Sequence, residues 1–335
     1  MKIKEICEEE VWENFISAFS KRTFLHSWDW TEFRRKIGDK IYRRGLWTNN
    51  DLAAVFFASK IKAKKGNFLL VAHGPLIKNY RPEVLKKIIE ELKEIGKKEK
   101  AAFLRIAPLW SEGSENDQII AKEGFLRSSS SVFPTKSWEL SLAGSENDIL
   151  SGMRKGTRYM IAKGEKDGGM QIFKSQDPSN VRIFYDIYKE TSLRHKFKPF
   201  SFNYIQGEFA EFSAKNHVKL FLAEKNNRYI AGAIIIFWQN RAFYHHGASV
   251  GDKGSVFASH LIQWEAIKEA RARGCDKYNF WVISPNGGPK HRWAGLTFFK
   301  KGFGGNEVEY ALAKDLPLTR RYWITRFWEK ARNIR

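Results

Sequence analysis

Cysteine is almost missing from this chain: Cys7 and Cys275 are the only two in 335 residues, too few for a disulfide scaffold and too far apart for a zinc knuckle. That usage fits the reducing cytoplasm. No apolar run approaches the roughly 20 residues that span a bilayer. The amino terminus, MKIKEICEEEVWENF, holds no uninterrupted apolar stretch of signal-peptide length, so the expectation is a protein soluble in the cytoplasm or peripheral at the inner face of the membrane. The zinc motif H-E-x-x-H and the dinucleotide fingerprint G-x-G-x-x-G are absent, which removes zinc-hydrolase and Rossmann oxidoreductase readings. An acetyl-CoA enzyme would cradle pyrophosphate at a [QR]-x-x-G-x-[GA] turn opening a helix. Residues 251–256, GDKGSV, keep only the middle glycine, so coenzyme A is disfavoured.

Positive charge is what the chain has in excess. There are 58 Lys+Arg against 37 Asp+Glu, a formal +21, which points to a polyanionic partner: RNA, a nucleotide-linked substrate or an anionic membrane surface. A basic surface kept for solubility is the plainer alternative. Aromatic residues make up 15% of the chain, with 12 Trp and 26 Phe, enough to furnish stacking or interfacial surfaces as well as a core.

Two stretches share one apolar pattern. The first runs through residues 52–58 and 68–75, a helical pattern at 83–98, and residues 102–108; the second through 230–237 and 242–248, a helical pattern at 258–273, and 277–285. Each reads as two strands, an amphipathic helix and a strand ending at proline, so the chain looks like a duplicated α/β unit. The helix faces are Val84, Leu85, Ile88, Ile89 and Leu92 in one and Leu261, Ile262, Trp264, Ile267 and Ala270 in the other, with Gly96 and Gly274 as stops. Further helices are expected at 8–19, 28–37, 146–166 and 179–191. Pro134 and the turn at 142–145 mark the boundary, and the halves are expected to pack with a cleft between them. The tail, residues 318–332, is a basic, aromatic amphipathic helix for an anionic membrane or RNA. Its plainer reading is a closing helix with Tyr322, Trp323, Phe327 and Trp328 packed on the fold.

Residues 295–305, GLTFFKKGFGG, set two lysines behind two phenylalanines and ahead of three glycines. A P-loop requires lysine after its glycines, so that reading fails. The pattern suggests a cation on a stiff aromatic strand beside a flexible turn. His245 and His246 are adjacent on an expected strand and so point to opposite faces, unable to share a metal directly; His26, His73 and His291 read as ordinary. No metal is expected.

The chain resembles the FemABX peptidyltransferases, which add amino acids to the peptide stem of peptidoglycan precursors. The resemblance covers about residues 24–315. It rests on residues 24–34 (FLHSWDWTEFR), Gly74-Pro75, residues 155–159 (KGTRY) with Gly168, residues 191–194 (TSLR), Tyr244 with residues 247–249 (GAS), and residues 295–300 (GLTFFK) with 303–305 (FGG). It implies an α/β fold of two tandem acetyltransferase-like (GNAT) lobes, mixed sheets flanked by helices. The first would comprise residues 1–142 completed by 306–335, the second residues 143–305. It implies aminoacyl-tRNA as co-substrate without a cofactor and a peptidoglycan precursor as acceptor; a monomer is expected, and the tail's own pattern adds peripheral membrane contact through 318–332.

By the same resemblance Lys300 would face the oxyanion of acyl transfer, Phe298 and Phe299 would hold the strand and exclude water, and Gly302, Gly304 and Gly305 would leave room for the tRNA acceptor end. Arg34 and Arg194 would converge on the precursor diphosphate, with Trp30, Tyr204 and Tyr244 as neighbours; Arg158 stays open between a structural and a tRNA-facing role. The chain departs from the family at Ala107, where relatives carry an acid, and at residues 278–282, YNFWV, where relatives often read Y-D-x-G-G. It also leaves no room for the helical-hairpin insertion between Tyr204 and Val218. The alternatives are a related acyltransferase acting on an exopolysaccharide or lipid acceptor, and a non-catalytic RNA-binding or membrane-surface protein.

Overall fold

The computed structural model describes residues 1–63, 66–79, 81–129, 135–284 and 291–333; the boundary mark Pro134 and the strand end at Pro285 lie outside them. The chain divides into two compact units, residues 1–135 with 309–335, and residues 136–308.

The first unit holds strands β1 (Lys2–Glu5), β2 (Lys40–Thr48), β3 (Asp51–Ile61), β4 (Phe68–His73), β5 (Leu76–Ile77), β6 (Phe103–Pro108) and β7 (Leu126–Arg127). The second holds β8 (Lys136–Ser141), β9 (Met170–Ser175), β10 (Val218–Lys225), β11 (Arg228–Trp238), β12 (Arg241–Ser249), β13 (Lys277–Val282) and β14 (Asn306–Glu309), after which β15 (Lys314–Pro317) rejoins the first sheet. Helices α1 (Glu9–Ser17), α2 (Trp28–Lys36), α3 (Pro82–Lys98) and α4 (Glu115–Lys122) flank the first sheet. Helices α5 (Glu146–Ser151), α6 (Lys155–Lys166), α7 (Val181–His195), α8 (Phe202–Ser213), α9 (Lys253–Ala272) and α10 (Ala294–Lys301) belong to the second unit, and α11 (Arg321–Asn333) closes the first.

The sheet orders are β1-β2-β3-β4-β6-β15-β7, with β5 on β3, and β14-β8-β13-β12-β11-β10-β9. In each, an antiparallel hairpin (β2–β3, β10–β11) and an antiparallel neighbour (β4, β12) are followed by a helix that returns the chain to a parallel strand (β6, β13). This is the duplicated unit that the apolar pattern announces. All five expected face residues of α3 are buried against Leu69, Val71, Leu104 and Ile106, and all five of α9 against Phe221, Ala231, Ala233 and Ile235. Burying one such aliphatic side chain stabilises by about 1.5–3 kcal/mol, so each helix is held on its sheet chiefly by this face.

Some local expectations fail. Gly96 lies inside α3 rather than ending it; a Cβ there would strike the Leu318 side chain, so glycine serves close packing. Residues 146–166 form two helices, because Gly152 to Arg154 turn the chain and Arg158 Nη1 donates to the carbonyls of Ser151 and Met153 at the end of α5. This gives Arg158 a structural role.

Candidate functional site

Residues 294–301 are helical, not a strand. Strand alternation would put Phe298 beside Lys300 on one face, whereas the helical period pairs Thr297 with Lys300 inward and Phe299 with Phe303. Phe298 is consequently exposed, with the Arg154 guanidinium 3.8 Å over its ring, so it excludes no water from Lys300. Phe299 keeps its expected packing part, edge-on to Phe303 at 5.2 Å and to His260 at 4.9 Å. The glycines after the helix do not open a space. A Cβ at Gly302 would collide with Thr157 and one at Gly305 with the backbone of Glu139, so the turn is pressed onto α6 and β8 of its own unit.

Lys300 is 4% exposed, and its Nζ donates to the Val282 carbonyl at 2.7 Å. Burial lowers its pKa to about 7. The Val282 carbonyl is aimed by an irregularity in β13: the register with β8 shifts between Asn279 and Val282, and Trp281 takes φ +65°. That left-handed backbone is costly for a bulky residue. Buried Asn279 holds it, its Oδ1 accepting from Trp281 N–H and Ser137 Oγ, each at 2.7 Å. Thr297 Oγ1 accepts from Ser284 N–H at 2.8 Å, tying the strand's exit to α10. Asn279, Trp281 and Thr297 are the supporting residues sequence reasoning misses, although the departure at residues 278–282 marks their place.

Tyr244 on β12 lies near this ammonium, with Lys300 Nζ 5.7 Å from its ring centroid, and burial pushes its phenol up to about 12. A Cβ at Gly247 would occupy the place of the Tyr244 hydroxyl, so this tyrosine position requires glycine three residues on. One residue on, the expectation for the histidines fails. β12 carries a bulge, with Tyr244 opposite Ile235 but His246 opposite Ile234, so His245 is an inserted residue. Both imidazoles then reach one carboxylate: His245 Nε2 lies 2.6 Å from Glu208 Oε1 and His246 Nε2 lies 3.0 Å from Glu208 Oε2. Burial would raise the Glu208 carboxyl, but the two histidines outweigh it and hold it at about 2. Burial and the charge of His245 lower His246. These ligand atoms lie within 4.8 Å of one another, the spacing of a metal-binding set. The signal for Glu208 is its place among Ile205, Phe209 and Phe212 on the buried face of α8, a helix that sequence reading also misses.

Arg194 ends α7, and its Nη2 donates to Ser249 Oγ at 3.2 Å, at the end of the Tyr244 strand. Residues 247–251 spell GASVG, the spacing of a nucleophile elbow, but this serine hydroxyl is committed to a guanidinium. Tyr204 stacks on Phe200 at 4.6 Å, and Phe200 in turn meets His246 at 6.0 Å. Thus β12 gathers Arg194, Tyr204, Tyr244 and, through the Tyr244 ring, Lys300 within the second unit. Arg34 and Trp30 belong to the first. There Arg34 pairs with Asp39 and stands 5.8 Å from the Trp30 ring centroid, with Trp30 edge-on to Phe24 at 5.7 Å. His26 joins two parts of the resemblance, its Nε2 lying 3.0 Å from the carbonyl of His73, just before Gly74-Pro75; burial lowers its pKa to about 4, so it acts as a neutral donor. Hollows of about 560 Å³ around Lys219, Phe237 and Arg273 and about 780 Å³ around Lys97, Lys100, Arg320 and Arg321 contain none of the expected site residues.

Known proteins are similar to this chain in sequence and in fold. The FemAB family profile matches residues 7–126 and 220–330. A lipid II:glycine glycyltransferase from Staphylococcus haemolyticus is 21% identical, over 90% of this chain and 91% of its own. The aminoacyltransferase FemA of Staphylococcus aureus is 33% identical over a stretch that covers 20% of this chain and 16% of its own. Among solved structures, FemX superposes with a TM-score of 0.84 at 17% identity, covering 97% of this chain and 99% of that one. A tandem GNAT protein from the clavulanic acid biosynthesis pathway gives 0.56 at 8% identity over 84% and 83%, which extends the likeness of fold to GNAT proteins. With the profile spanning more than half of the chain, the chain belongs to the FemAB family.

Proposed function

We propose that this transferase moves an aminoacyl group from aminoacyl-tRNA to the side-chain amine in the peptide stem of a peptidoglycan precursor. The observation that carries the proposal is the buried Lys300 ammonium beside Tyr244, its Nζ on the Val282 carbonyl. The acceptor nitrogen attacks the ester carbonyl carbon, negative charge gathers on the carbonyl oxygen, and the C–O bond to the terminal ribose of the tRNA then breaks. The proton lost by the amine ends on that ribose oxygen. Lys300 turns from Val282 toward the oxyanion, where a desolvated cation stabilises charge far better than it would in water. Phe299 keeps its surroundings apolar, and Tyr244 donates a hydrogen bond nearby.

The family resemblance supports phosphate-binding roles for Arg34, which would exchange Asp39 for a phosphate beside Trp30, and for Arg194 beside Tyr204. The enzyme works as a monomer at the cytoplasmic face of the membrane, without metal or cofactor. In agreement with a donor other than coenzyme A, Asp252 occupies the start of α9, its carboxylate accepting from Ser255 N–H at 2.6 Å where an acyl carrier's phosphate would otherwise sit.

The test is transfer of radiolabelled amino acid from a mixed aminoacyl-tRNA pool to nucleotide-linked and lipid-linked muropeptides. Wild type should label a muropeptide, and Lys300→Met should lower turnover by about 10²–10³-fold, the cost of removing one oxyanion donor. Undiminished turnover in Lys300→Met, or no transfer to either acceptor, would sink the proposal.

A further inference from the structure

We propose that α11 is a membrane-surface element, and that its outer face together with the basic hollow at its amino-terminal end docks on a bilayer carrying anionic headgroups. Its inward side is fully used. Tyr322 is buried against Phe103, Thr325 is buried, Glu329 pairs with Arg105, and Arg326 donates to the Arg127 carbonyl at 2.8 Å and to Tyr322 Oη at 2.7 Å. The other aromatics of the tail are turned mainly outward, Trp323 touching the fold through the edge of Tyr322 at 5.1 Å. Trp323, Ile324, Phe327 and Trp328 are 54%, 56%, 68% and 51% exposed, and their i, i+1, i+4, i+5 spacing places them on one outward stripe. A helix that only closed a globular unit would turn such a stripe inward and show polar residues to water.

Charge names the occupant. The hollow of about 780 Å³ beside the start of α11 is lined by Lys97, Lys100, Arg320 and Arg321, with no carboxylate among its lining residues. Lys330 adds an exposed cation at the other end of the stripe. Large apolar side chains between flanking cations suit a helix lying in the plane of an anionic interface, rings among the upper acyl chains and basic groups on headgroup phosphates. At 13 residues α11 is too short to span, and among the described residues no helix is long and apolar enough to cross a membrane. Where the transfer reading holds, on which this consequence alone rests, the docked enzyme would meet a lipid-carried acceptor by diffusion in two dimensions.

The experiment sediments the full chain with vesicles of phosphatidylcholine alone or mixed with phosphatidylglycerol. Wild type should pellet with the mixed vesicles and not the neutral ones. The triple variant Trp323→Ser, Phe327→Ser, Trp328→Ser should lose about tenfold or more in partitioning, and Arg320→Glu with Arg321→Glu should abolish the preference for phosphatidylglycerol. The altered tryptophans are about half exposed and the phenylalanine more so, so both variants should stay folded, which a cooperative thermal transition checks, and both should still transfer to a soluble nucleotide-linked precursor. No pelleting of wild type, or variants that pellet as it does, would overturn the proposal. A dimer dissolved by the triple variant would assign the stripe to a second copy, and loss of tRNA retention with vesicle binding intact would assign it to RNA; either result overturns it. Transfer without vesicle binding counts against this proposal alone, and vesicle binding without transfer counts against the transfer reading alone.

Discussion

Burial brings the Lys300 ammonium from an ordinary 10.5 to about 7, so near neutral pH the free enzyme holds comparable amounts of ammonium and amine. The acid form is the one that can meet an oxyanion. It follows that kcat/KM should fall with rising pH along a limb with midpoint near 7, and that the residual activity of Lys300→Met should lack this limb. A rising limb at that pH would instead make the neutral amine the working form, a base. Stability gives an independent reading of the same group. Between about 7 and 10.5 the unfolded chain keeps a proton that the folded chain has released, so raising the pH through this window favours folding. Wild type should therefore gain on the order of a few kcal/mol relative to Lys300→Met as the pH rises across the window. Parallel denaturant titrations of the two proteins would measure the difference, and parallel curves would show that the lysine is not desolvated.

Between α8 and β12 the tie is a single carboxylate shared by two imidazoles. Removing its charge in Glu208→Gln leaves two buried ring nitrogens facing one amide, and the expected loss is about 1–3 kcal/mol at neutral pH. Glu208 has its folded pKa held near 2, below an ordinary 4.5, so its contribution is full above 4.5 and disappears as the pH falls toward 2. The gap between wild type and Glu208→Gln in thermal unfolding should narrow over that window; a gap independent of pH would refute the charged carboxylate. This tie shows where sequence reading stops. The amphipathic faces of α3 and α9 are legible because burial imposes the helical period on five positions in each. A bulge such as the one at His245 inserts one residue, and nothing in strict alternation announces it. Residues 297–300 mislead for a related reason: their phenylalanines favour strands, but Thr297 and Lys300 are set inward at helical spacing by packing against the end of β13. Lys300 itself is legible through the family resemblance, whereas the Val282 carbonyl that receives it depends on a left-handed Trp281 that only three-dimensional structure reveals.

Over the whole molecule the chain leaves its first unit, builds the second, and returns at residue 309 to finish the first. The return is anchored by charge. β15 inserts between β6 and β7, where Arg105, 1% exposed, donates from Nε and Nη2 to the fully buried Asp315 at 2.7 and 2.9 Å, and from Nη1 and Nη2 to Glu329 at 3.1 and 2.9 Å. Burial opposes the guanidinium's charge, but the two carboxylates outweigh it and raise its pKa. Within a sheet core such a triad is costly to break and far less costly to replace, because one missing partner leaves an uncompensated charge while removal of all three leaves none. Arg105→Met alone should thus destabilise the first unit by about 3–5 kcal/mol, seen as an early loss of structure in urea. Combining it with Asp315→Leu and Glu329→Gln should recover most of that loss. If the triple variant were as unstable as the single one, the guanidinium would be holding the returning segment by its packing against the stacked pair Phe68 and Phe103, whose ring centroids lie 5.3 and 5.0 Å from it, rather than by its charge.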